Sequence, residues 1–213
     1  LSAVCSSGAK VVYPWRSFES YPIAIPASHA EGVPVPLDED GGHDVEGLVC
    51  AAQDATALIL CSPNNPTGPV LAFDTIREIV ERVPASVLVL VDEAYIDFAS
   101  DPRVSSAIPL IEEHPNVLVL RTFSKVHALA GVRVGYAIGN TELIGAIQAV
   151  SVPFGVSSVA QAAALASLED EAGVRASAQA VIAERERMIA ALREVGLSVP
   201  DSQANFFFLP GLG

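Results

Sequence analysis

The chain has 213 residues, 51% of them hydrophobic and 17% charged, so it can bury a large core and is too apolar for the disordered class. Its formal net charge is −13, and its 12 Lys and Arg residues are scattered apart from Arg185 and Arg187; nucleic acid and anionic membrane surfaces, which are gripped by clustered cations, are therefore not expected partners. No apolar run approaches the ~20 residues of a membrane-spanning helix, no leader peptide is visible, and Cys5, Cys50 and Cys61 lack metal-ligand spacing, which fits buried thiols in a reducing, cytoplasmic compartment.

Residues 10–14 read as a strand, 18–25 as a helix, 32–37 as a strand and 45–52 as a helix. A strand over 56–62, a helix over 73–83 and strands over 86–92, 116–122 and 132–138 follow. The strands are continuous apolar runs rather than alternating ones, which implies burial on both faces. Their alternation with helices implies a mainly parallel sheet covered by helices, an α/β fold. After Asn140 the texture changes to helices over 141–150 (capped by Asn140), 157–167 and 172–195, the last ended by Gly196, and then a strand over 205–209. A domain change is expected inside the long helix, giving a large unit over residues 1–172 and the start of a smaller one over 173–213. The start at Leu1 and the stop at Gly213 lead us to expect a piece of a longer chain.

Three polar motifs sit just after buried strands, where open α/β sheets bind ligands. Ser62-Pro63-Asn64-Asn65-Pro66-Thr67-Gly68 is a rigid turn in which Pro66 extends Asn65; by itself it is equally a structural turn. Asp92, in Val91-Asp92-Glu93-Ala94-Tyr95, is a carboxylate at the end of a buried strand, which needs a cation or donors to meet it; a plain cap of the next turn is the alternative. Arg121-Thr122-Phe123-Ser124-Lys125, followed by Ala130-Gly131-Val132-Arg133, sets hydroxyls and guanidinium groups around one lysine. That set suits a phosphate dianion and an amine nucleophile, although an ordinary exposed turn could contain the same residues.

Together and in this order, SPNNPTG, VDEAY and TFSK followed by LAGVRVGY resemble the fold-type I, class I/II pyridoxal phosphate-dependent aminotransferases. Trp15-Arg16-Ser17-Phe18-Glu19-Ser20-Tyr21-Pro22, Pro153-Phe154 and Gln203-Ala204-Asn205-Phe206 resemble the branch containing histidinol-phosphate and aromatic amino acid aminotransferases. The resemblance implies a three-layer α/β/α large domain with a mainly parallel sheet, plus part of a smaller α+β C-terminal domain. It implies pyridoxal 5′-phosphate as cofactor, an amino donor (an aromatic amino acid or histidinol phosphate) and a 2-oxo acid as substrates, and a homodimer. Carried over residue by residue, Lys125 holds the cofactor, Asp92 pairs with its ring nitrogen, and Tyr95 and Asn65 donate to its 3′-oxygen. Thr122, Ser124 and Arg133 bind its phosphate, Phe18 stacks on the ring, and Asn205 lies near the substrate carboxylate. A decarboxylase or lyase on the same scaffold, or an inert truncated fragment, are the alternatives. The Gly-rich turn, the substrate-gripping arginines and the neighbouring-subunit tyrosine that the resemblance implies have no counterpart in this sequence. Ala128 stands where relatives carry Gly, and a positive φ there would strain it by ~1 kcal/mol; Ser157 stands where they often carry Asn. Residues 184–187 (ERER) read as a solvated charged face.

Overall fold

Six runs rich in Val, Ile and Leu pair into one sheet in the computed structural model, which describes residues 1–211. Leu212 and Gly213, the end of the expected 173–213 unit, lie outside the described residues. β1 (Lys10–Trp15), β2 (Glu31–Pro36), β3 (Ala57–Cys61), β4 (Leu88–Asp92) and β5 (Val117–Thr122) are parallel, and β6 (Gly135–Ile138) runs antiparallel to β5. The order across the sheet is β2-β1-β3-β4-β5-β6.

Alternate residues of β3 and β4 face opposite sides, as pleating requires. Leu58, Leu60, Val89 and Val91 pack with Leu48 and Val49 of α2 (Val45–Ala52) and with Ile76 and Ile79 of α3 (Phe73–Arg82). On the other side, Ala57, Ile59, Leu88 and Leu90 pack with Ile25 of α1 (Tyr21–Ala27) and with Leu143 and Ile144 of α4 (Thr141–Val150). The expected three layers are present, and burial on both faces is why these strands are unbroken apolar runs. Asp44 caps α2 by accepting from Gly47 N at 3.0 Å, and Asn140 caps α4 by accepting from Leu143 N at 2.9 Å.

α5 (Ser158–Glu169) and α6 (Glu171–Glu194) follow. Ser157 is the N-cap of α5, accepting from Ala160 N at 3.1 Å, and Gly196 ends α6 at φ +87°. α6 returns to the large unit: Ala178 shares a buried cluster with Tyr95, Phe98, Val126 and Ala204.

Several expectations need correction. The helix expected over 18–25 begins only at Tyr21, since Pro22 belongs in a first turn, where its missing N–H costs nothing. The strand expected over 132–138 starts at Gly135, because Ala130–Val132 forms a 3-10 turn and Arg133 has φ 58°. The strand expected over 205–209 does not form: residues 204–206 bend, and among the described residues no strand lies alongside to complete a ladder. Arg185 is not part of a solvated face. It is 4% exposed and donates to Phe98 O at 2.8 Å and Ala204 O at 3.0 Å, whereas Arg187 pairs with Glu184 in solvent.

Candidate active site

Cys61 at the end of β3 lies in register with Asp92 at the end of β4, and Asp92 with Leu120 of β5. The carboxyl ends of these strands open together on a cavity of about 360 Å³, the place where such sheets take ligands. Phe18, Asn65, Asp92, Tyr95, Thr122, Ser124, Lys125 and Arg133 all line it. Asn205 does not. It is exposed and borders a separate depression beside Arg185 and Phe207, outside that cavity. The reason lies in the preceding residues. Gln203 N donates to Gly68 O at 2.9 Å, Gln203 Oε1 accepts from Ser100 N at 2.6 Å, and Phe206 turns inward onto Tyr95, leaving Asn205 outside.

Asp92 is held at both oxygens. Tyr21 Oη donates to Oδ2 at 2.7 Å and Ala94 N donates to Oδ1 at 3.1 Å. Burial raises its pKa above the ordinary carboxylate range, while Tyr21, the Ala94 N–H and the charge of Lys125 pull it down. Cys61 forms part of the cavity wall beside it, its thiol pushed up to about 12 by burial and by the charge of Asp92.

Lys125 Nζ lies 4.9 Å from the centroid of the Tyr95 ring, whose other neighbour is Phe206 at 5.0 Å, edge to face. An ammonium over an aromatic face is attracted to it by ~0.5–2 kcal/mol, which aims the amine into the cavity rather than into solvent. The loop holding Lys125 is locally strained, for Ala128 has φ 55°, the left-handed conformation that costs a residue with a Cβ ~1 kcal/mol or more. His127 Nδ1 lies 2.8 Å from Ser167 Oγ and its ring lies against Phe123. It is a packing residue outside the cavity lining.

Arg133, Ser124 and Thr122 are linked before any ligand arrives. Arg133 Nη1 donates to Ala130 O at 2.8 Å and to Ser124 Oγ at 3.5 Å, and Ser124 N donates to Thr122 Oγ1 at 3.0 Å. A guanidinium, two hydroxyls, a carboxylate and an amine on the walls of one cavity fit a phosphorylated ring that carries a basic nitrogen and an electrophilic carbon. Arg121 is engaged elsewhere. Its Nε donates to the buried Glu93 Oε2 at 2.8 Å, and Glu93 Oε1 accepts from Ala107 N at 2.6 Å.

Asn65 is presented by a loop that its neighbours fix. Fully buried Asn64 donates to Arg16 O at 3.0 Å and Thr67 Oγ1 at 2.7 Å and accepts from Ser17 Oγ at 2.7 Å. Gly68 has φ +96°, and a Cβ there would run into the Ser202 side chain. Reading the sequence alone missed Ser17, Tyr21, Cys61 and Asn64. Cys61 could have been found by aligning the ends of consecutive parallel strands; for the contact of Tyr21 with Asp92, 71 residues apart, the sequence carries no local signal. Among the described residues no cluster of His, Cys, Asp and Glu could hold a metal ion, and no helix is long and apolar enough to cross a membrane.

The family model described as "Aminotransferase class I and II" matches residues 1–213. The chain is 48% identical to an aromatic amino acid aminotransferase of Rhodococcus erythropolis over 97% of its own length and 57% of that protein's. It is 49% identical to one of Corynebacterium efficiens over 100% and 61%. Among solved structures, histidinol-phosphate aminotransferase from Sinorhizobium meliloti in complex with pyridoxal-5′-phosphate superposes with a TM-score of 0.89 at 29% identity, covering 96% of this chain and 56% of that one. The chain thus spans well under two thirds of the length of these relatives.

Proposed function

Because the chain belongs to the class I and II aminotransferase family, we propose that it carries the cofactor site of a pyridoxal phosphate-dependent aminotransferase. The substrates of this reading are an aromatic amino acid or histidinol phosphate as amino donor and a 2-oxo acid such as 2-oxoglutarate as acceptor. The observation that carries it is that one cavity places the Lys125 amine, the Asp92 carboxylate and the Thr122–Ser124–Arg133 anion cradle together.

When bound, pyridoxal phosphate supplies an electron sink for charge released at the substrate's α-carbon. Arg133, Ser124 and Thr122 anchor its phosphate, and the side chains of Tyr95 and Asn65 offer donors to its 3′-oxygen. Asp92 holds a proton on the ring nitrogen, and Phe18, 43% exposed at the mouth, covers the ring face and keeps water from it. Lys125 Nζ would take the proton from the substrate's α-carbon as a base and give it back to the reacting centre as an acid. The first product would be released before the 2-oxo acid enters, with the amino group carried on the cofactor in between, so ping-pong kinetics are expected. The names of the relatives support the aromatic and imidazole substrates. In the same reading residues 1–172 are the cofactor-binding unit, residues 173–213 open a second unit, and the working protein is a cytoplasmic homodimer.

Reconstitution with pyridoxal phosphate, borohydride reduction and peptide mass spectrometry test the site. The expected result is the reduced cofactor fixed on the peptide containing Lys125 and absent from Lys125→Ala, which should keep its fold. Amino transfer from phenylalanine, tyrosine and histidinol phosphate to 2-oxoglutarate tests the reaction. Release of carbon dioxide without amino transfer would overturn it.

A further inference from the structure

We propose that Tyr21 is a positioning residue for Asp92: its hydroxyl fixes the orientation of the carboxylate and keeps it in the charged form that a ring nitrogen requires. This deepens the function proposed above and rests on it. Tyr21 opens α1, is 8% exposed, and donates to Asp92 Oδ2 at 2.7 Å. The Ala94 N–H holds Oδ1. One donor on each oxygen fixes the carboxylate plane and leaves each oxygen a further lone pair for a ligand.

The phenol itself cannot swing away. Its ring is met edge-on by Tyr13 at 6.4 Å and by Phe18 at 5.7 Å, with interplanar angles of 73° and 89°. The same ring therefore touches both the acid at the base of the cavity and the aromatic side chain at its mouth, so Tyr21 sets the spacing between them.

Besides Tyr21, bonded to it from α1, the titratable and charged groups that share the cavity with Asp92 are Cys61 from β3, Tyr95 from its own loop, Arg121 of β5, which pairs with Glu93, and Lys125 and Arg133 from the segment after β5. Burial, Cys61 and Asp92 raise the pKa of Tyr21 well above that of an ordinary phenol, and Cys61 stays a thiol. Around neutral pH Tyr21 therefore keeps its proton, and the hydroxyl it turns to Asp92 donates more strongly to the ionised carboxylate than to the neutral acid. Tyr21 heads the influences that draw Asp92 back toward ionisation, ahead of Ala94 N–H and Lys125. If the Ala94 N–H and Lys125 alone kept Asp92 ionised, loss of the Tyr21 donor would leave its titration unmoved.

The test is carbon-13 NMR titration of Asp92 in the full chain carrying labelled aspartate, with the signal assigned through Asp92→Asn. In Tyr21→Phe the carboxyl midpoint is expected to rise by about one pH unit, a tenfold change in its ionisation constant. With 3-fluorotyrosine at position 21, a stronger donor, it should fall; this second protein serves if Tyr21→Phe does not fold. An unmoved midpoint in either folded protein overturns the proposal. In parallel, pyridoxal phosphate binding by Tyr21→Phe, followed by absorbance, should lose affinity at a higher pH than in the unaltered chain. The carboxyl titration needs no cofactor. Its outcome decides the role of Tyr21 whether or not the unaltered chain fixes pyridoxal phosphate.

Discussion

Asp92 is placed where an ionised carboxylate is costly, and the sign of that cost is testable. Its pKa in the folded chain is raised above the unfolded value by burial, so the folded state binds its proton more tightly. At neutral pH the ionised group lowers stability, and the penalty disappears as pH falls through the folded pKa. Asp92→Asn keeps the shape and removes the charge. The empty chain should then be at least as stable in urea at pH 7 while its affinity for pyridoxal phosphate falls tenfold or more, for a neutral amide cannot balance a protonated ring nitrogen; a lower urea midpoint with unchanged affinity would contradict the role given to Asp92.

His43 works in the opposite sense. It is buried, its Nε2 accepts from Cys61 N at 3.4 Å, and its Nδ1 has no partner. Burial lowers its pKa from 6.5 to about 4, so the unfolded chain binds its proton more tightly. Its stabilising effect is complete above pH ~6.5 and is lost as pH falls toward 4, by up to about 3 kcal/mol. Urea unfolding at pH 7.5 and pH 5 should show this loss, and the loss should shrink in His43→Gln.

Among elements, the strands were legible because burial on both faces writes itself into the sequence as unbroken apolar runs; residues 88–92 (LVLVD) could be little else. The three motifs were legible because each follows such a run. What could not be read depends on partners distant in sequence. Residues 205–209 have the composition of a strand, yet pairing decides strands, and among the described residues no strand stands beside them. Arg185 belongs to a run of alternating charge, yet the carbonyls that bury it come from Phe98 and Ala204, which periodicity does not reveal. The consequence is that the Arg185 guanidinium adds a polar tie to the apolar packing by which α6 meets Tyr95 and Phe98. Arg185→Ala leaves those carbonyls without a donor and should destabilise the chain by about 3 kcal/mol, as measured in urea, with early proteolysis within Glu171–Glu194.

At the scale of the whole molecule, exposed apolar side chains recur along the chain from the end of α4 through α5. Val152 is 78% exposed, Phe154 fully so, and Val150, Val159, Leu165 and Leu168 are also exposed. Phe154 has φ 58°, a conformation that costs it ~1–3 kcal/mol. A patch of this kind is a contact surface in most proteins, and the homodimer proposed above is expected to use it. Burying one phenylalanine contributes about 1.5–3 kcal/mol, so Phe154→Ser should weaken association of two copies roughly tenfold or more, read by sedimentation equilibrium. Unchanged association would place the dimer contact elsewhere.

The ring of Tyr95 meets both Phe206, edge to face, and the Lys125 Nζ. It works as a diaphragm between the segment that follows α6 and the reactive nitrogen. A tilt of that segment by even a fraction of an ångström is felt at the nitrogen through one thickness of carbon, with no loop rearrangement in between. The segment that follows α6 thereby bears on the ring beside the amine, and trimming Phe206 to leucine would slacken that contact.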